Sequence, residues 1–419
     1  MACPCRRHPR GAGQPLHDVP ITPHRGVGGS AARQAKRGEC AMMPVPTPEQ
    51  ESFRADVCRL LCEDEVREEV AQSRRVPYGE ETGVCEVHRR LGKLGWLAIN
   101  WPERYGGSGA TIVEKAILTE EMIRHGVPDN VHQLGIDIVG SAINLFGTAE
   151  QKERFLPGLA RGETTANVLF SEPGVGSDLA SLTTRAEPDG DGWRLSGKKI
   201  YNMKAQHSDF GLCAARTSTG PVNYFGITLF LVPLQSMGVV IEPLWNMSEE
   251  RFDCVTLDGI RVGREDVLGD VDDGWQVANS VLPLERTGLD HSAKAERILA
   301  ALQEHAPEGS EQRLAQLEAR VRAARLLAWR CIANLHEGKP DEVQSATAKW
   351  YTSETAKEVS LAAVELLGPQ ALVDARDSSA IAEGVFDSAL REAPGLTLAQ
   401  GSSEIMLFFV ATSKLGLPS

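Results

Sequence analysis

Leu169-Phe170-Ser171-Glu172-Pro173-Gly174-Val175-Gly176-Ser177-Asp178 is the stretch on which the reading of this chain turns. Glycines at 174 and 176 let backbone N–H groups come close to a ligand, and Ser171 and Ser177 add short hydroxyl donors. Such a loop suits an electron-rich ring edge or a phosphopantetheine chain. In isolation it is also an ordinary glycine-rich turn, so its surroundings decide.

Immediately downstream, Arg185-Ala186-Glu187, the turn Asp189-Gly190-Asp191-Gly192 and Trp193-Arg194-Leu195 predict a hairpin. Apolar runs at 226–233, 239–244 and 255–262 predict further short strands, a set that suits a small barrel or sandwich. Upstream, Phe53, Val57, Leu60, Leu61 and Val66 recur at spacings of three to five after a helix start at Thr47, Glu49 and Glu51. A second set, Ile136, Val139, Ile143 and Phe146, keeps the same period and reads as packing between helices. Beyond Gly269 the helical period returns, with Leu314, Leu317, Val321, Ala324 and Leu327 on one face and Pro307-Glu308-Gly309 as a break. The expected units are a tail at 1–46, helices at 47–163, a β-domain at 164–268 and helices at 269–419.

Composition excludes several classes. The 419 residues are 42% apolar and 24% charged, near the globular average, and no apolar run is long enough to span a bilayer. A net charge of -13 disfavours nucleic acid as a partner. Nine cysteines form no pair of CxxC motifs and ten histidines no HExxH, so reduced thiols and no metal are expected. Residues 1–42 carry +5, leaving -18 on the remainder, and contain no apolar signal core. This tail is expected to be disordered and non-catalytic, either as an over-extended start before Met42 or Met43 or as an organellar transit peptide. The expected location is accordingly cytoplasmic, or an organellar matrix in the second case.

Several separate segments together resemble the acyl-CoA dehydrogenase family. They are the 169–178 run; Leu91-Gly92, Gly95-Trp96 and Pro102-Glu103-Arg104-Tyr105-Gly106-Gly107; Gly147-Thr148-Ala149-Glu150-Gln151-Lys152; and Asp258-Gly259-Ile260-Arg261-Val262 with Leu268-Gly269. The resemblance implies an α+β fold with an N-terminal helical domain, a central small β-barrel and a C-terminal four-helix bundle. It implies FAD, contacted by Val168, Leu169, Phe170, Ser171, Tyr201, Met203, Gln400, Ser402 and Glu404. Ser177, Arg286 and Gly401 would contact the acyl-CoA or acyl-carrier thioester. The implied reaction removes an α-proton while the β-hydrogen leaves as hydride to flavin N5, giving a 2,3-enoyl thioester.

Many relatives place the base where this chain has Gln400, and an amide cannot act as one. A minority carry it in a Leu-x-x-Glu-Arg context, matched here by Leu282-Pro283-Leu284-Glu285-Arg286, which makes Glu285 the candidate. Met203 stands where relatives have a threonine. The family's Gly-Gly segment reads Gly368-Pro369, and its Arg-x-x-Phe motif is missing between Asp290 and Leu314. These departures leave open a homo-oligomer, a half-site or non-catalytic subunit of a heteromer, and a flavin oxidase or monooxygenase. An electron-transfer flavoprotein or similar acceptor follows from the family.

Overall fold

Thr47 starts the first helix as a reciprocal cap. Its hydroxyl accepts from Gln50 N and the Gln50 side chain accepts from Thr47 N, with Pro48 in the first turn. The computed structural model describes residues 46–77, 80, 85–128, 131–248 and 250–418, and only the backbone of 131 and 282–285. The expectations for the tail up to residue 45 and for the Glu285 side chain therefore lie outside the described residues.

The N-terminal helices are α1 (Pro48–Leu61), α2 (Asp64–Ser73), α3 (Glu86–Lys93), α4 (Ile112–Arg124), α5 (Val131–Leu134), α6 (Ser141–Phe146) and α7 (Ala149–Ala160). Capping boxes from Thr111 with Glu114 and from Thr148 with Gln151 start α4 and α7. Between α5 and α6, Gly135–Gly140 winds as a π-helix, which the three-and-four spacing of its apolar residues did not reveal.

The middle of the chain supplies β1 (Ala166–Leu169), β2 (Arg185–Asp189), β3 (Gly192–Met203), β4 (Phe210–Arg216), β5 (Ile227–Pro233), β6 (Val239–Leu244), β7 (Phe252–Val262) and β8 (Val267–Leu268). Their order is β6-β7-β3-β2-β4-β5-β8, with β1 parallel to β4. The expected hairpin is present: Asp189 pairs with Gly192, and Gly190 takes the left-handed φ of +65° that its turn requires.

β4 and β5 are buried on both faces, which explains their unbroken apolar runs. Leu212, Leu229 and Leu231 pack toward the N-terminal helices, while Cys213, Phe230 and Val232 fill the sheet's own core. In β3, by contrast, exposed Arg194, Ser196 and Lys198 alternate with buried Trp193 and Leu195.

The C-terminal helices are α8 (Gly274–Glu285), α9 (Leu289–His305), α10 (Glu311–His336), α11 (Glu342–Leu367), α12 (Val385–Leu398) and α13 (Ser403–Ser413). Pro283 does not end α8. The chain breaks after Glu285, where Gly288 at φ +72° lies so close to α11 that a Cβ would come within 2.5 Å of Thr352 Oγ1.

A buried ion network joins the two helical regions. Glu120 of α4 accepts from Arg325 Nε at 2.8 Å, Trp329 Nε1 at 2.9 Å and Arg54 at 3.0 Å. Arg124 adds a 2.6 Å pair to Glu296 of α9. Among the described cysteines Cys58, Cys85, Cys213, Cys254 and Cys331 form no disulfide, whereas Cys62 is disulfide-bonded, against the expectation that all were reduced. No described helix is long and apolar enough to cross a membrane.

Candidate active site

Residues 167–171 are joined to the end of β3 at three points. Asn167 Nδ2 donates to Met203 O at 2.6 Å, Ile200 N to Ser171 O at 2.9 Å and Lys199 Nζ to Phe170 O at 3.2 Å. The glycine-rich run and the Tyr201–Met203 segment therefore form one surface.

Its anchor is an ion pair that the sequence reading missed. Lys199 Nζ lies 2.8 Å from Glu172 Oε1, with side chains only 0% and 2% exposed. Glu172 also accepts from Thr183 N, Thr183 Oγ1 and Thr184 N. Burial pushes this carboxyl up, but the Lys199 ammonium and these donors outweigh it and hold it near about 2.

Leu169 is fully buried in the sheet core, so at this position only backbone is available to a ligand. Tyr201 is 64% exposed, with φ of 57° where the β3–β7 register shifts between Lys199 and Asn202. A bulge that holds a large aromatic ring outward, beside a tethered backbone edge, is a fitting platform for a flat tricyclic ring. Ser177 is exposed beyond the loop.

The C-terminal helices carry the remaining candidate positions. Phe170 packs with Ile138, Leu229, Val277, Ala278 and Val281 around a small apolar gap between the glycine-rich run and α8, too narrow to admit even a water. Its Ile138 belongs to the π-helical segment. Glu285 occupies the helix position one turn beyond Val281.

The next residue, Arg286, has its guanidinium carbon 4.0 Å from where a Cβ on Gly401 would lie. The end of α8 thus meets the turn Gln400-Gly401, whose φ values are 58° and 98°. Ser402 caps α13 through Ile405 N, Ser403 donates to Glu354 at 2.6 Å, and Glu404 is exposed in the first turn. Beneath them Lys349 is fully buried and donates to Leu396 O at 3.2 Å. Burial pushes its ammonium down to about 8, with Asp290 opposing and Arg286 adding to the shift. Nothing in the local sequence of α11 distinguished this lysine.

This is the arrangement in which the sequence led us to expect a flavoprotein dehydrogenase of acyl thioesters. The chain matches the acyl-CoA dehydrogenase N-terminal domain over 47–163, the middle domain over 167–258 and the C-terminal domain over 272–415. It belongs to the acyl-CoA dehydrogenase family, whose members are FAD flavoproteins that oxidise the CH–CH bond of acyl-CoA.

Acyl-CoA dehydrogenase FadE26 of Mycobacterium tuberculosis is 29% identical over 395 residues, covering 89% of this chain and 98% of that protein. The solved Tcur3481-Tcur3483 steroid ACAD is 29% identical with a TM-score of 0.79, covering 91% of this chain and 99% of that one. The ChsE4-ChsE5 complex from Mycobacterium tuberculosis is 28% identical with a TM-score of 0.78, covering 90% and 99%.

Proposed function

We propose that Glu285 takes the α-proton of a bound acyl-CoA thioester, leaving the 2,3-enoyl product. FAD, when bound, supplies the acceptor for the β-hydrogen and its electron pair. Residues 168–171 and the Tyr201–Met203 segment would hold the ring, with Gln400, Ser402 and Glu404 closing its far side. Arg286, Gly401 and Ser177 would face the thioester and its carrier.

The observation that supports this reading is the meeting of the α8 end with the Gln400-Gly401 turn. The α8 end carries the carboxylate residue Glu285 next to Arg286, whereas the turn that Arg286 approaches carries the amide Gln400. A general base contributes about 10²–10⁴-fold in rate. Glu285→Gln should therefore keep bound flavin but slow anaerobic bleaching by an acyl-CoA by that factor. Bleaching at the normal rate would remove Glu285 from the role.

A heteromeric assembly is a second reading, supported by two features. The solved relatives above each carry two protein names, ChsE4-ChsE5 being a complex, and α13 leaves Ile405, Leu407 and Phe408 exposed by 41%, 42% and 53%. Under it, the chain expressed alone is soluble but poor in flavin, and co-expression with a second relative restores colour. A steroid-bearing acyl-CoA is the first substrate to try, and an electron-transfer flavoprotein the first acceptor. The strongly acidic body disfavours an acidic carrier protein in place of CoA.

A further inference from the structure

One turn of α11, residues 348–352, supports both segments that flank the proposed base. On one side it meets the break after α8: a Cβ on Gly288 would stand 2.5 Å from Thr352 Oγ1 and 3.1 Å from Ala348 O. On the other side Lys349 Nζ donates at 3.2 Å to Leu396 O, in the last turn of α12, four residues before Gln400. Further along α11, Glu354 accepts from Ser403 Oγ at 2.6 Å, three residues after Gln400. The Gln400-Gly401 turn is therefore tied to α11 before and after, and Gly401 is where the Arg286 guanidinium approaches. We infer that Lys349 is a positioning residue for the dehydrogenation, fixing the Gln400-Gly401 turn against the α8 end that carries Glu285 and Arg286. The inference rests on the reading that this meeting point borders the reacting thioester.

Two physical arguments support the assignment. The last four carbonyls of an α-helix lack intrahelical donors and carry the negative end of its dipole, so a cation placed there is favoured. Leu396 O is one of these carbonyls on α12, and Gly395 O beside it is capped by Ala399 N. A lysine, moreover, is seldom buried unless its ammonium is used. Lys349 is fully buried, so removing it takes this donor from the last carbonyls before the turn.

The same bond is sensitive to pH. Burial lowers the Lys349 pKa to about 8, with Arg286 adding to the shift and Asp290 of α9, Glu354 of α11 and Glu404 of α13 opposing it. The charges of α12 are paired elsewhere, Arg391 with Asp387 and Glu392 with Lys294. Loss of the proton turns a charge-assisted hydrogen bond into a neutral one of roughly half the strength. The grip on the turn should then weaken while the fold persists.

The test is anaerobic bleaching of the flavin-loaded holoenzyme in rapid mixing, read as the rate at saturation and the half-saturating concentration. The thioester is one that bleaches the parent, taken from butyryl-CoA, octanoyl-CoA and a steroid-bearing acyl-CoA. Parent, Lys349→Met and Glu285→Gln are compared from pH 6.5 to 9.5. Misplacing a reacting group by about 1 Å costs up to about 10²-fold. Lys349→Met should bind flavin, keep its half-saturating concentration within about twofold and lose at least about tenfold in saturating rate. In the parent that rate should fall with a midpoint of about pH 8, and in Lys349→Met it should not. The parent's profile needs no variant, so it reads the inference even if the substitution unfolds the protein. A parental rate that stays level across pH 8, or a Lys349→Met loss confined to flavin content or half-saturation, would overturn it. Slow bleaching in Glu285→Gln beside parental bleaching in Lys349→Met overturns this inference alone. Parental bleaching in Glu285→Gln overturns the reading beneath it as well.

Discussion

Gln400 and Glu285 pose the sharpest question at the scale of single residues, because only one of them can take a proton. Gln400 occupies left-handed backbone, φ 58°, in the turn that Arg286 approaches. If one substrate faces both positions, a carboxylate moved between them should still reach the α-carbon. Glu285→Gln/Gln400→Glu is therefore expected to regain at least about tenfold of the bleaching rate lost in Glu285→Gln. A double variant as slow as the single one would show that the turn does not border the reacting carbon. Both positions were legible in the chain, Glu285 from Leu-x-x-Glu-Arg and Gln400 from the run before Ser402-Ser403. Their neighbourhood was not, because Arg286 meets Gly401 only through the packing of α8, α11 and α13, and sequence periodicity does not register one helix against another.

Among the elements, those governed by local rules were read most directly. Thr47 caps α1, the Asp189–Gly192 turn closes the β2–β3 hairpin, and β6 spans Val239–Leu244 as its apolar run suggested. β1 and β4 went unassigned: four residues of β1 carry too little pattern, and a strand buried on both faces does not alternate. The π-helical turn escaped because its apolar spacing is shared with an α-helix. Lys199 was also opaque, since a lysine enters a core only with a partner, and Glu172 is 27 positions away. The pair fixes the carbonyl edge at Phe170 and Ser171. Removing the ammonium alone strands a buried carboxylate, at a cost of about 3–5 kcal/mol. Lys199→Met should lower stability to urea by that amount and reduce bound flavin. Lys199→Met/Glu172→Gln should recover a large part of both, which a purely steric role for the lysine stem would not produce.

Over the whole molecule, acid sensitivity should begin with a histidine pair rather than with the ion network. His88 of α3 is completely buried, stacked on His132 with ring centroids 5.0 Å apart, and neither ring nitrogen has a hydrogen-bond partner. Burial, then the neighbouring His132 and Lys204, push its pKa down to about 3 from an ordinary 6.5. His132 is shifted in the same direction, chiefly by burial, although its bond to Gly162 O opposes this. The folded state holds His88 neutral, while the unfolded chain protonates it below about pH 6.5, so the unfolded state binds more protons across this window. Stability therefore falls as pH drops from 6.5 toward 3, by about 1.4 kcal/mol per pH unit once the unfolded ring is charged. Glu120 and Glu172 act lower. Both are held near about 2, so their contribution is complete above the ordinary carboxylate range and fades only as pH falls below about 4.5. The window from 6.5 to 4.5 thus belongs to the buried imidazoles. His88→Phe keeps a flat ring against His132 and removes both unpartnered nitrogens, so it should not weaken the fold at pH 7. Between pH 7 and pH 5 the parent should lose about 2 kcal/mol more than the variant. Urea unfolding at a series of pH values measures that difference, and parallel curves for the two proteins would show that His88 is not held neutral in the fold.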